Sequence, residues 1–78
     1  MTSERRKQIK EAIQIFEYDA NGLYRTMGGY VIAKSISVDR KKGVYIANIT
    51  IGDDLERTSS TYKDCEFPID IIDKLIKK

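Results

Sequence analysis

YVIAKSISVDRKKGVYIANITI, residues 30–51, is the stretch on which the fold turns. Tyr30 to Val38 and Val44 to Ile51 are rich in β-branched and aromatic side chains, and Asp39-Arg40-Lys41-Lys42-Gly43 between them carries turn chemistry. The reading is a β-hairpin. A four-residue loop ending with Gly43 in the positive-φ region sets Asp39 opposite Val44 and Val38 opposite Tyr45. In that register Tyr30, Ile32, Ile36, Val38, Tyr45, Ala47, Ile49 and Ile51 share one face, and Tyr30 and Tyr45 are expected to help close the core. Lys34 interrupts this face, while Val31, Ala33, Val44 and Ile46 give the opposite one an apolar character.

Upstream of the hairpin, Ile9, Ala12, Ile13 and Phe16 recur at the spacing of one helical face, and Thr2 and Ser3 are good N-cap residues. The spacing predicts a helix over Ser3 to Glu17. The alternative, a strand over Ile13 to Tyr18, fails because Phe16 directly after Ile15 breaks a period of two. Asp19-Ala20-Asn21-Gly22 supplies the stop signal, and a short connection through Leu23 and Tyr24 follows.

Downstream, Gly52-Asp53-Asp54 reads as a turn, and Arg57 to Lys63 as a polar third strand suited to a sheet edge. Pro68 is expected in the first turn of a closing helix whose apolar stripe is Ile69, Ile72, Leu75 and Ile76. Asp70 and Asp73 near its start and Lys74, Lys77 and Lys78 at its end complement the helix dipole. The sum is a single α+β domain over residues 1–78: a helix, a three-stranded antiparallel sheet and a helix (αβββα). Both helices are expected on the same face of the sheet.

The 78 residues leave room for one core. Cys65 is the only cysteine, which removes an intramolecular disulfide, and histidine is absent, which removes the usual nitrogen ligand for zinc. A reducing, cytoplasmic location is expected, with no membrane association, because no segment approaches the roughly 20 apolar residues a span needs.

Without histidine, hydrolase triads of the common kind are excluded, and no cofactor, metal or enzymatic activity is expected. Cys65 lies between Asp64 and Glu66, whose charge discourages a thiolate, so it reads as a half-buried structural side chain. Asp53, Asp54 and Glu56 lack the spacing of a calcium loop and read as a solvated turn. Met27-Gly28-Gly29-Tyr30 precedes a strand instead of following one, so it reads as a flexible approach or bulge and not as a phosphate loop.

Contact chemistry remains. The chain has five tyrosines and no tryptophan, and with Tyr30 and Tyr45 assigned to the core, Tyr18, Tyr24 and Tyr62 are the candidate partner contacts, joined by Arg40, Lys41 and Lys42 at the hairpin tip. The first expectation is therefore a non-enzymatic module, an inhibitor or adaptor, that docks on a larger protein. Such proteins are frequent among viral and mobile-element accessory products. A polar edge strand could also accept a strand from a partner or from a second copy, which makes a homodimer an alternative.

The second expectation is nucleic-acid binding. Arg40, Lys41 and Lys42 would grip phosphates while the basic first helix, with Arg5, Arg6, Lys7 and Lys10, lies along the backbone. Against it stands a net charge of only +2, under which each basic cluster could be ordinary solvated surface.

The element order resembles, in topology, that of double-stranded RNA-binding domains. That resemblance implies a lysine-rich start to the last helix, where such domains hold phosphate; here Phe67-Pro68-Ile69-Asp70 stands instead, with an acidic side chain near that place. The chain is therefore not assigned to the family. Small toxin nucleases of similar order resemble the same fold with a histidine added, and this chain has none.

Overall fold

The computed structural model describes residues 2–22 and 28–77. Expectations placed on Leu23, Tyr24, Met27 and Lys78 lie outside them. Helix α1 spans Ser3–Ala20; strands β1 (Gly29–Asp39), β2 (Val44–Asp53) and β3 (Thr58–Pro68) follow, and helix α2 (Ile69–Ile76) closes the chain. The strands pair antiparallel in the order β1-β2-β3, as the sequence predicts.

Thr2 caps α1, its hydroxyl oxygen accepting from the Arg5 N–H at 3.1 Å. The helix runs on to Ala20 instead of ending at Glu17, because Asp19 and Ala20 continue the turn that Asn21 then caps. Asn21 donates its amide to the Glu17 carbonyl and carboxylate at 2.8 and 3.0 Å. Gly22 takes the left-handed conformation, φ +64°, that ends helices.

The hairpin has the predicted register, with Asp39 paired to Val44 and Val38 to Tyr45. The Asp39 carboxylate accepts from the Lys41 and Lys42 N–H groups at 3.0 and 3.2 Å, and Gly43 sits at φ +69°.

The predicted core face is correct from Ile36 onward and wrong before it. Ser35, at φ +58°, forms a β-bulge, so Ser35 and Ile36 together face Ala47 between the pairs Lys34–Asn48 and Ser37–Ile46. The extra residue reverses the alternation. Val31 and Ala33 point into the core, while Ile32 and Lys34 are exposed on the other side.

Tyr30 is also corrected by this reversal. Its ring covers Gly52, its partner on β2, where any Cβ would overlap the ring. It fills the place of a missing side chain and does not close the core.

β3 runs well past the predicted Lys63, to Pro68, because a second bulge absorbs the break that Asp64 makes in its pattern. Asp64 adopts φ +54° and donates its N–H to the Asn48 side chain at 3.1 Å. The two bulges thus flank neighbouring positions of β2, Ala47 and Asn48. Pro68 stands one residue earlier than expected, ending β3 and capping α2, and the Ile69 N–H then donates to the Gly43 carbonyl at 3.0 Å.

Both helices pack on one face of the sheet. Ile9, Ala12 and Ile13 of α1, Ile72 of α2 and Val31, Ala33, Ile36, Tyr45, Ala47, Ile49 and Phe67 of the strands form one buried cluster. Phe16 meets Phe67 edge to face at 6.0 Å. At the outer side of β1, the Ala33 N–H donates to the Gln14 side chain at 3.1 Å. Among the described residues no helix is long and apolar enough to cross a membrane.

Candidate functional site

The antiparallel hairpin decides what lies at each end of the molecule. β2 separates the hairpin tip from the β2–β3 turn by roughly 30 Å at strand rise. The start of α1, the tip and the start of α2 meet at one end. There the Arg5 guanidinium bonds the Asp73 carboxylate at 2.8 Å and the Tyr45 hydroxyl at 3.3 Å, and that hydroxyl donates to the same Asp73 oxygen at 2.8 Å. Three elements are tied through one carboxylate. Burial, reinforced by the bond to Asp73, pushes the Tyr45 phenol above its ordinary value of 10.0.

Arg5, expected to contact a ligand, is therefore engaged within the protein, with its side chain only partly exposed. Lys42 pairs with Glu66 across the sheet at 3.2 Å, a solvent-exposed contact of small energetic weight. Arg40 and Lys41 are exposed at the tip, where Arg40 lines a cavity of about 420 Å³ shared with Arg5, Tyr45 and Asp73.

The other expected cations are gathered beside this end. Arg6, Lys7 and Lys10, exposed on one flank of α1, form a wall of a groove of about 450 Å³. Lys34 and Ser35 of β1 line its opposite side, and buried Ala33 and Ile36 lie between. Among the described residues no carboxylate lines this groove. Lys34 joins the set because the Ser35 bulge turns it away from the core face. Elsewhere at this end Glu4 and Asp70 are exposed, while Asp39, Glu66 and Asp73 are held by the bonds already described.

The opposite end carries Glu17 and Asp19 in the last turn of α1 and Asp53, Asp54 and Glu56 around the β2–β3 turn, together with Arg57. Asp53 accepts from the Leu55 and Glu56 N–H groups at 2.9 and 3.4 Å, which gives the acidic turn a structural role. Among the described residues no group of acidic or cysteine side chains is arranged to hold a metal ion.

The tyrosines are dispersed. Tyr18 lines a second groove of the α1–β1 seam, about 510 Å³, with Gln14, Ile15, Tyr30 and Val31, where Glu11 is the only charged side chain among the described residues and Ile15 is 54% exposed. Tyr62 is 53% exposed on β3 and borders a different groove with Asn21 and Ile51. Tyr24 is outside the described residues. Cys65 is half-buried and donates its thiol to the Tyr62 carbonyl at 3.6 Å. Burial first, then Glu17 and Asp64, push the thiol above its ordinary 9.0, so thiolate chemistry is disfavoured.

The sequence reading missed Lys34 as a surface cation and Asp73 as the anchor of the basic end. A lysine standing on an otherwise apolar face was the available signal for the first. The second depends on residues separated by 68 positions, for which no local pattern exists. No protein family, curated protein or solved structure matches the chain.

Proposed function

We propose that the chain is a non-enzymatic binding module that engages nucleic acid through its basic end. The observation that carries this reading is convergence. Basic clusters far apart in sequence, on α1 and at the hairpin tip, lie at one end with Lys34, and the groove between α1 and β1 has a cationic rim with no carboxylate among the described residues. A net charge of only +2 is no obstacle, because three of the five carboxylates at this end, Asp39, Glu66 and Asp73, are held by bonds within the protein, while Glu17, Asp19, Asp53, Asp54 and Glu56 lie at the other end. Oriented docking on phosphates follows from that separation, since the field at the basic end is stronger than the net charge implies.

The test is fluorescence anisotropy with labelled nucleic acids at low and at physiological salt. If Arg6, Lys7, Lys10, Lys34, Arg40 and Lys41 each neutralise a phosphate, the logarithm of the binding constant falls with the logarithm of salt with a slope of about −5 on a duplex. Absence of binding to every nucleic acid at low salt defeats the proposal.

A second reading, docking on a larger protein as an inhibitor or adaptor, is favoured by the apolar groove around Ile15, Tyr18, Tyr30 and Val31. Ile15→Lys would abolish such a complex while leaving nucleic-acid binding intact, because Ile15 is exposed and outside the basic groove. Tyr62 and Tyr18 border different grooves, so a single partner would have to be large to use both.

A further inference from the structure

We infer, on the basis of the nucleic-acid reading, that the ligand is a duplex held through its phosphates, with its bases unread. Proteins that hold single strands set aromatic rings beside the track of cations, so that bases stack while phosphates are neutralised. That combination is missing here among the described residues. Phe16 and Phe67 meet each other in the interior, and Tyr45 is 5% exposed and tied to Asp73. Tyr18 and Tyr30 line the apolar groove farther along the seam, and Tyr62 stands on β3. Among the described residues, no aromatic side chain lines the basic groove or the cavity at Arg40 other than this tied Tyr45.

Base reading by an inserted helix is also disfavoured. Beside its cations α1 exposes a second stripe, Glu4, Gln8 and Glu11 at helical spacing, with Gln8 and Glu11 next to Leu75 and Ile76 of α2, and its two carboxylates would meet the phosphates that flank a nucleic-acid groove if the helix were inserted. The cations instead stand to one side of this stripe, on Arg6, Lys7 and Lys10, and across the seam on Lys34, with Arg40 and Lys41 beyond. Two elements held together by the core thus present charge in two rows. That arrangement fits a duplex, whose paired backbones keep a constant separation, better than a single strand, which supplies one flexible row of phosphates.

Anisotropy titrations with labelled duplexes of unrelated sequence, in DNA and RNA form, and with the matching single strands test this directly. Duplexes of one type and unrelated sequence are expected to bind within about 3-fold of one another and at least about 10-fold more tightly than single strands, as phosphate-only recognition requires. The DNA and RNA arms identify which duplex is the source of the phosphates. Tyr18→Ala and Tyr62→Ala, both on exposed or half-exposed rings, should leave duplex affinity unchanged, with circular dichroism confirming that each variant is folded. Single strands binding as tightly as duplexes, or a loss of about 5-fold or more in either tyrosine variant, overturns the inference while leaving nucleic-acid binding standing. Failure of every nucleic acid to bind at low salt overturns both.

Discussion

The two ends of the sheet are secured by different means. At the basic end the ties join distant parts of the chain: Arg5 to Asp73, Tyr45 to Asp73, the Ile69 N–H to the Gly43 carbonyl. At the acidic end they are mostly local: Asn21 to Glu17, and Asp53 to Leu55 and Glu56, with the Asp54 N–H to the Gly28 carbonyl as the longer exception. The difference teaches where the fold needs rigidity. Cations carried on separate elements act as one surface only if those elements hold their positions, and the long-range ties lie where the cations are.

The largest effect should come from reversing charge at the rim of the basic groove. Lys7→Glu, Lys10→Glu and Lys34→Glu together are expected to weaken duplex binding at least about 100-fold, with a shallower salt slope and an unchanged denaturation midpoint. A loss of stability in place of a loss of affinity would show that these side chains serve the fold.

Next comes the tie itself. Asp73→Asn removes the charge that Arg5 and Tyr45 share and should cost about 1 to 3 kcal/mol in denaturant unfolding, because the partners are only partly exposed. Binding should weaken as well, since α1 would be held less firmly. Because the folded state holds the Tyr45 proton more tightly than the unfolded chain, this group's contribution to stability is intact below pH 10.0 and declines as pH rises above it. The Cys65 thiol acts in the same direction above its own ordinary value of 9.0. Tyr45→Phe should flatten the alkaline loss of stability measured by chemical denaturation, and an unchanged profile would remove Tyr45 from this account.

At the other end, Gly52→Ala forces the Tyr30 ring off its site and should cost about 1 kcal/mol without altering affinity. In a double-mutant cycle, most of that cost should vanish on a Tyr30→Ala background. Affinity falling with Gly52→Ala would mean that the two ends are coupled.

The smallest effect is expected from deleting Ser35. Removing it leaves Lys34 opposite Asn48 and Ile36 opposite Ala47 in plain alternation, so every side chain keeps its face. The variant should fold with a change of no more than about 1 kcal/mol, since release from a left-handed conformation offsets part of the disturbance. Unfolding on deletion would show that the bend made by the bulge is itself required.

The hairpin was legible because its turn is local: Asp39, Gly43 and the flanking β-branched runs contain the information that fixes the register. The helices were legible from the spacing of Ile9, Ala12, Ile13 and Phe16 and of Ile69, Ile72 and Leu75. The bulges were not, because serine carries no mark of a positive φ and aspartate, though it adopts one more readily, marks turns as well as mid-strand bulges, and the facing of Tyr30 to Lys34 was misread in consequence. Of the candidate site, the identity of the basic clusters was legible and their convergence was not, since it follows from where the strands place the tip relative to α1. The choice of Tyr18, Tyr24 and Tyr62 as candidate contacts rested on composition, and composition holds no information about which rings are neighbours.

The bond from the Ala33 N–H to Gln14 bears on the behaviour of the protein at high concentration. An outer strand with free amides is a template for fibril growth, and a helix side chain occupying one of those amides obstructs an incoming chain. At the other margin of the sheet the kink at Asp64 and the charged neighbour Lys63 interrupt the straight run of backbone that stacking requires. Gln14→Ala should leave the fold nearly as stable and yet shorten the lag before thioflavin-positive aggregates appear on agitation.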